Sequence, residues 1–596
     1  MVVELSPLSR EAVTALLGRT LVTPDPDSML RAALLERSEG NPFYLVSYLR
    51  SLLDDRTAVL NGGQVRLSIE PDSLQLPDSM HAVVGERVDR LDAAGKSLLR
   101  LASVIGRRFS LERLFDFASS MQFRDSAVVL EDLRTRQLIE KAGVGHVQFT
   151  HAVVQDVVYA GMLGRERRRL HLAFASTLAA QMNPDDAVVA WHLEQAGEMH
   201  DASVRYEAAS ERAQAVYAHL DALAHVERAF ALTSVDEASR RPRLVERAGD
   251  LLLLTGRFLD ATERFSTIAD DSTDLDGARC NRKYAHALMA CQRADQAVAR
   301  IAVARGDLAD IPVNARGNAW WREHFAVQIE RLWLLYQTAS EDMRAVALQL
   351  APELEAHGLP VESGLYHRSL ALLELRTSRY LADESVVRLA ERGARELATA
   401  DDRTSACFAN FTHAFTLLWS GDIVAADRKL HDVLDEARRI GDAERHLMCL
   451  TYLAVTARFR HDVDGARAFA TAGVAAARTA GARLYEGVNS ANLAWADWRV
   501  QRASPDQSRV QLDAAVALMA STPGYPFWWI ATLLDLALVQ DTEDVSTVAS
   551  LCESLIVPSQ QRLPDPLAAT MTHVVTSPSL ENVRVVCDAA MLTGHL

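Results

Sequence analysis

Two stretches of this chain can be laid over one another at an offset of 40 residues. LLWSGDIVAADRKL (417–430) and ARFRHDVDGARAFA (457–470) set Asp422 against Asp462 and Ala426 against Ala466. Each puts a short polar turn before alanine and apolar residues spaced i, i+3, i+4, and LLLLTGRFLDATERF (251–265) follows the same plan. A helix with that spacing buries one stripe, and the turn reverses the chain. Each unit is then a helical hairpin that covers its stripe only by stacking on the next, which predicts a solenoid of paired helices.

Composition agrees with a mainly α protein of several domains. The chain has 596 residues, 49% of them apolar and 24% charged, enough to bury real cores in three or four units of about 150 residues each. Acidic residues outnumber basic ones, 79 against 63, for a net charge of −16. That field repels phosphate backbones and anionic lipid, so nucleic acid and membrane surfaces are disfavoured as partners. Lysine occurs only at Lys96, Lys141, Lys283 and Lys429, which leaves few groups for a phosphate-gripping lysine. The six cysteines form no CxxC pair, so no zinc knuckle or redox couple is indicated and reduced thiols are expected. The N-terminal MVVELSPLSREAV lacks a secretory pattern, and no run approaches the length of a membrane span. The expected location is cytoplasmic.

Five segments are expected along the chain. Residues 1–56 read as a helical bundle, with Ser9 capping helix 10–18, a second helix opening at Asp25 and Pro26 and stopping at Gly40, and a third opening at Pro42. Residues 57–162 begin with a polar boundary and a short strand near 64–69. Helices at 78–91, 93–105, 110–119 and 125–141 and a strand at 146–149 follow. Several short helices ending in a glycine-bearing ribbon form the pattern of a winged helix. Connecting helices fill 163–235 and helical repeats fill 236–555. Residues 556–596, rich in Pro, Ser and Thr near their start, read as an irregular tail that admits a short helix.

Few constellations carry chemistry. Gly95-Lys96-Ser97 spells the end of a phosphate loop, but the glycine required five residues earlier is Arg90 and no apolar strand precedes it. Gly40-Asn41-Pro42, followed by Phe43, is natural helix-turn-helix punctuation. Phe149-Thr150-His151 delivers a histidine to the first turn of an apolar helix. A helix N-terminus disfavours imidazolium and attracts anions, so His151 reads either as a neutral donor beside an oxyanion or as a packed, hydrogen-bonded side chain. Arg165, Arg167, Arg168 and Arg169 with His171 form a basic run that reads as a solvated face. The helix that would read DNA balances Arg134, Arg136 and Lys141 against Glu131, Asp132 and Glu140, which suits DNA poorly. Trp320-Trp321 and Trp528-Trp529 read as core rather than as a ligand groove. No HExxH, no GxSxG and no acid pair is present, so no catalytic residue and no metal ligand is assigned.

The ordered run LSPLSREAV, GNPFYL, LPDSMHAVVGERVDRLDAAGKSLLRLASVIGRRF and FTHAVVQDVVYAGMLGRERRRLH, within residues 1–235, resembles the region after the nucleotide-binding core of STAND-type signalling ATPases. These are the large ATP-binding proteins of bacterial LuxR-type regulators and of adenylate or guanylate cyclase-linked proteins. The repeats beyond 235 are similar in a general way to the tetratricopeptide-like (TPR-like) arrays such proteins carry, without the strict 34-residue pattern. The resemblance implies that 1–56 is a helical lid and 57–162 a winged helix. It places Gly40, Asn41 and Pro42 at the adenine side of a nucleotide and His151 near its β-phosphate. The acid that follows the histidine in the related MHD motif is Ala152 here, which alters the network around it.

The sequence holds no GxxxxGK[ST] and no strand ending in magnesium-binding acids. The expectation is therefore a regulatory half of a nucleotide switch: not an enzyme by itself, without a cofactor of its own, and meeting ATP or ADP only with a partner that supplies the phosphate loop. The repeats are expected to engage a protein partner. Two alternatives stand beside this reading: a truncated ATP-binding transcriptional regulator or cyclase-linked ATPase, and a plain TPR-type scaffold.

Overall fold

The computed structural model describes residues 7–22, 34–36, 38, 40–54, 56–61, 64–68, 80–237, 239–271, 273–358, 360–398, 402–520, 522, 524–539 and 545–596. The chain is mainly α and divides into two compact units, Met1–Ala209 and Ser210–Leu596. The division falls inside the segment read as connecting helices.

The first unit opens with α1 (Arg10–Thr20), β1 (Leu21–Val22), α2 (Pro42–Asp54), β2 (Ala58–Asn61) and β3 (Gln64–Leu67). Strand β3 lies between β1, which runs parallel to it, and β2, which runs antiparallel. The apolar stripes of α1 and α2 meet through Val13, Leu17, Tyr44, Leu45, Tyr48 and Leu52, and Val83 of α3 (Met80–Asp89) joins the same core. The helix expected to open at Asp25 and Pro26 lies mostly outside the described residues.

Next come α4 (Ala93–Ile105), β4 (Arg108–Ser110), α5 (Leu111–Ser120), α6 (Ser126–Thr135), β5 (Ile139–Lys141), β6 (His146–Phe149) and α7 (Ala152–Ala160). The three strands form an antiparallel sheet in the order β4-β6-β5. The stretch 125–141 is not one helix. Gln137 takes a left-handed φ of 53°, the helix stops at Thr135, and Ile139–Lys141 pairs with β6 instead. The Gly143 and Gly145 turn, at φ 111° and 68°, then exposes Val144 at the ribbon's tip. Helices α8 (Gly164–Ala179), α9 (Asp186–Ala196) and α10 (Met199–Ala215) follow.

The second unit is a TPR-like α-solenoid. It runs through α11 (His219–Leu232), α12 (Arg240–Leu254), α13 (Phe258–Ser266), α14 (Leu275–Ala290), α15 (Ala294–Asp310), α16 (Asn318–Gln337), α17 (Met343–His357), α18 (Pro360–Thr377) and α19 (Glu384–Leu397). It continues with α20 (Arg403–Trp419), α21 (Ile423–Ile440), α22 (Ala443–Phe459), α23 (Val463–Ala480), α24 (Arg483–Arg499) and α25 (Pro505–Met519). The 40-residue offset is visible in the caps. Asp422 and Asp462 accept from the amides of Ala425 and Gly465 at the starts of α21 and α23, and Gly441 and Gly481 end the same helices at φ 68° and 66°. A carboxylate at the helix start and a left-handed glycine at its end satisfy the amides and carbonyls that have no partner inside the helix.

The segment 556–596 is not an irregular tail. After α26 (Trp529–Val539) and α27 (Val545–Ile556) it folds into α28 (Asp565–Thr576) and α29 (Leu580–Leu592). Their apolar faces, among them Leu567, Met571, Val574, Val583 and Val586, are buried in the solenoid's main core. The Pro and Ser residues that suggested irregularity act as helix starters: Pro564 precedes α28, and Ser579 accepts from the Asn582 amide to cap α29.

The solenoid also winds back on itself. His219 Nε2 meets the Ile440 carbonyl at 2.6 Å, Gly256 packs on Ala443 and Ala480, and His286 sits 3.6 Å from Glu444. Helices at the solenoid's start therefore touch α21 to α23. Among the described residues no helix is long and apolar enough to cross a membrane.

Candidate functional site

Gly40, Asn41 and Pro42 form a tight corner before α2. Gly40 has φ +79°, and a Cβ there would lie 2.5 Å from the Leu8 carbonyl oxygen, so only glycine fits. Its own carbonyl accepts from the Leu8 amide at 2.9 Å. The Asn41 side chain accepts from the Phe43 amide at 3.0 Å, and Pro42 occupies the first helical position, where no amide is needed. Asn41 and Pro42 are exposed.

His151 stands between β6 and α7 in an extended conformation, φ −147° and ψ 149°. Its Nδ1 accepts from the Val153 amide at 3.3 Å, making the imidazole the N-cap of α7. An accepting Nδ1 is unprotonated, so the neutral ring carries its proton on Nε2. Burial, with Arg107 adding to it, lowers the pKa against the opposing pull of Asp156. This helix-start imidazole is therefore held neutral with a single donor.

The corner and the histidine meet through Phe43. Its ring stacks on the imidazole with centroids 3.9 Å apart and planes 15° from parallel. Helix α3 supports the junction: Arg90, just beyond its end, donates to Ser51 Oγ and Ser51 O of α2 at 2.7 and 3.1 Å, and Arg87 donates to the Arg136 carbonyl at 2.6 Å. The structure thus brings the Gly40-Asn41-Pro42 corner to His151 through a residue one place beyond the three the sequence reading selected. The GNPFYL run contained Phe43, but spacing alone gave it no partner.

The remaining candidates resolve into ordinary structure. Gly95, Lys96 and Ser97 lie in the first turns of α4. Asp92 caps Gly95 at 2.7 Å, Lys96 Nζ donates to the Asp89 carbonyl and Ser97 Oγ to Ala93 O. Glu166 within the arginine run pairs with Arg100 at 3.1 Å, and Arg167 lies 5.3 Å over the Tyr159 ring. Trp320 and Trp529 are buried and donate to Leu308 O and Gln561 Oε1. Among the described residues no group of His, Cys, Asp and Glu could hold a metal ion.

His171 does not lie on a solvated face with the arginines: it is buried and paired with His192, a partner that sequence reading missed. His171 of α8 and His192 of α9 approach Nδ1 to Nδ1 at 2.8 Å, and His171 Nε2 meets the Tyr159 hydroxyl at 2.9 Å. Burial first, then the Arg167 charge, pulls His171 down to about 4; burial and His171 pull His192 down to about 3. The two lie 21 residues apart on separate helices, and no local pattern links them.

No protein-family model matches the chain, and no curated protein does. Among the solved structures similar to this chain is a signal transduction ATPase with numerous domains (STAND) protein with a tetratricopeptide repeat sensor from Pyrococcus horikoshii. It is 15% identical, with a TM-score of 0.43, and the match covers 89% of this chain and 74% of that one.

Proposed function

We propose that this chain is a signal-transduction module of the STAND type, in which the first unit carries a nucleotide-facing lid and winged helix and the solenoid receives the signal. The observation that carries the reading is the stack of Phe43 on His151. It joins the corner that the family resemblance assigns to the adenine side and the histidine assigned to the phosphate side. The imidazole beside it is neutral, capped at Nδ1, and left with Nε2–H as a donor at a helix start, which suits a phosphate oxygen. The helix-strand-helix-helix-strand-strand order of α4 to β6, with β6 between β4 and β5, further supports a winged helix.

No residue here is assigned to hydrolysis. ATP or ADP is bound with a phosphate-loop core supplied by a partner or by a longer chain, and signal on the solenoid shifts the balance between two states of the lid through its unequal affinity for them. Titration with a fluorescent ADP analogue checks this. The 596 residues alone should bind at most weakly, addition of a phosphate-loop core should create tight binding, and His151→Ala should weaken that binding about tenfold, or about 1.4 kcal/mol. Magnesium-dependent ATP hydrolysis by these residues alone overturns the reading. A plain scaffold would bind neither nucleotide with or without the core.

A further inference from the structure

Inside the solenoid, aromatic residues from successive helices enclose a chamber. Trp333 and Tyr336 of α16, Phe408, Phe411 and Phe415 of α20, and Tyr452 of α22 form its wall, and Phe527 closes it from the segment between α25 and α26. The wall is packed ring on ring: Tyr380 and Phe527 centroids are 4.6 Å apart, and Phe415 and Tyr452 4.7 Å. About 50 Å³ is left open at its centre. An adjoining hollow of about 60 Å³ shares Trp333, Gln337, Leu484, Tyr485 and Thr522. Each alone is smaller than the roughly 150 Å³ cavity that takes up a benzene ring, so a ring-sized guest enters by displacing side chains that the two hollows share, Trp333 and Tyr485 among them.

The chamber has polar groups that the fold does not use. Tyr336, Tyr380, Tyr452, Tyr485 and Tyr525 all line it, so five phenol side chains border one space. Tyr336 and Tyr380 hydrogen-bond each other at 3.1 Å. Tyr525, only 6% exposed, has a buried hydroxyl with no hydrogen-bond partner, and so does Thr522. Buried hydroxyls left unpaired are costly and rare, and a ligand that both donates and accepts is what they lack.

The charges nearby are already committed. Arg376 gives its guanidinium to the carbonyls of Tyr336 and Gly524 at 2.7 and 2.8 Å, and Glu444 is held by Arg445 and His286. Burial raises the tyrosines well above their ordinary range, which reports an interior hostile to added charge. An uncharged guest is therefore favoured, and flat aromatic walls favour a flat one.

We infer that this chamber is a binding site for an uncharged, ring-sized phenolic compound, its ring packed against Trp333, Phe411, Phe415 and Phe527 and its hydroxyls paired with Tyr525 and Thr522. The inference gives a ligand class to the receiving role proposed for the solenoid and rests on that reading. Isothermal titration of the full chain with resorcinol and with catechol, in the absence of nucleotide, tests it separately from the ADP experiment. At least one of the two should bind saturably. The double variant Tyr525→Phe/Thr522→Val should weaken binding at least tenfold while the unliganded protein unfolds at the same temperature or higher, because it loses only unpaired hydroxyls. The chamber assignment is overturned if neither phenol binds, if the double variant binds as well as the natural chain, if glucose or benzoate binds there in their place, or if the double variant unfolds earlier without ligand.

Discussion

A single amide, that of Val153, decides which nitrogen of His151 holds the proton, and the neighbouring Phe43 decides which way the ring can turn. His151→Gln should keep a side-chain acceptor for the helix start, whereas His151→Ala should remove it and cost about 1 kcal/mol of local stability; hydrogen exchange across α7 measures the difference. The His171–His192 pair gives a pH prediction. Both imidazoles are neutral when folded, with pKa values near 4 and 3, while the unfolded chain titrates near the ordinary 6.5. Below 6.5 the unfolded state takes up protons that the folded state refuses, so stability falls steadily as pH drops from 6.5 toward 4. The loss should reach about 2–3 kcal/mol per imidazole by about pH 4.5. Trp191, whose ring lies 5.5 Å from His171, is the one tryptophan before residue 210. A fluorine label there, followed through urea titrations, should show a steep pH dependence that flattens in His171→Gln/His192→Gln. A slope unchanged by the double substitution would remove the pair from the account.

At the scale of helices and strands, the sequence was most legible where pattern and cap agree. The 40-residue offset placed α21 and α23 because the same aspartate and glycine punctuate both, and Asp462→Ala should cost about 1 kcal/mol through the lost bond to Gly465. A fall in the urea midpoint without a change in slope would verify it. The corner before α2 was legible as punctuation, and Gly40→Ala should be worse than a lost cap, since both its left-handed backbone and the Leu8 oxygen resist a methyl group. Destabilisation of about 2 kcal/mol or more in the first unit is expected. Legibility failed where a long-range partner overrode local spacing. Leu138 and Ile139 continue the apolar rhythm of α6, yet β6 offers Ile139–Lys141 a ladder of hydrogen bonds and the helix ends early. The terminal helices were hidden for a related reason: composition near 556–566 suggested breaks, and only the buried faces of α28 and α29 show that the breaks are starts. The Phe43–His151 contact spans 108 positions and had no sequence signature beyond the two motifs it joins.

For the molecule as a whole, the closure of the solenoid matters most. Where each repeat touches only its neighbours, stability is a sum of local terms and the array can fray from either end. Here His219 reaches Ile440, and His286, whose pKa is raised to about 10 by Glu330 and Glu444 after burial has opposed it, ties α14 to α22. That tie stabilises fully below the ordinary histidine pKa of 6.5 and weakens as pH climbs from there toward 10. His286→Gln should therefore flatten the stability profile on the alkaline side, read from urea midpoints between about pH 7 and 10. The same return path sets an order on synthesis. Until residue 440 has left the ribosome, the first hairpins of the solenoid have no far wall to lean on, and the nascent chain must keep their inward sides from sticking elsewhere. Shutting the loop is a late, all-at-once event, and a variant truncated before residue 440 should aggregate rather than persist as a shorter array.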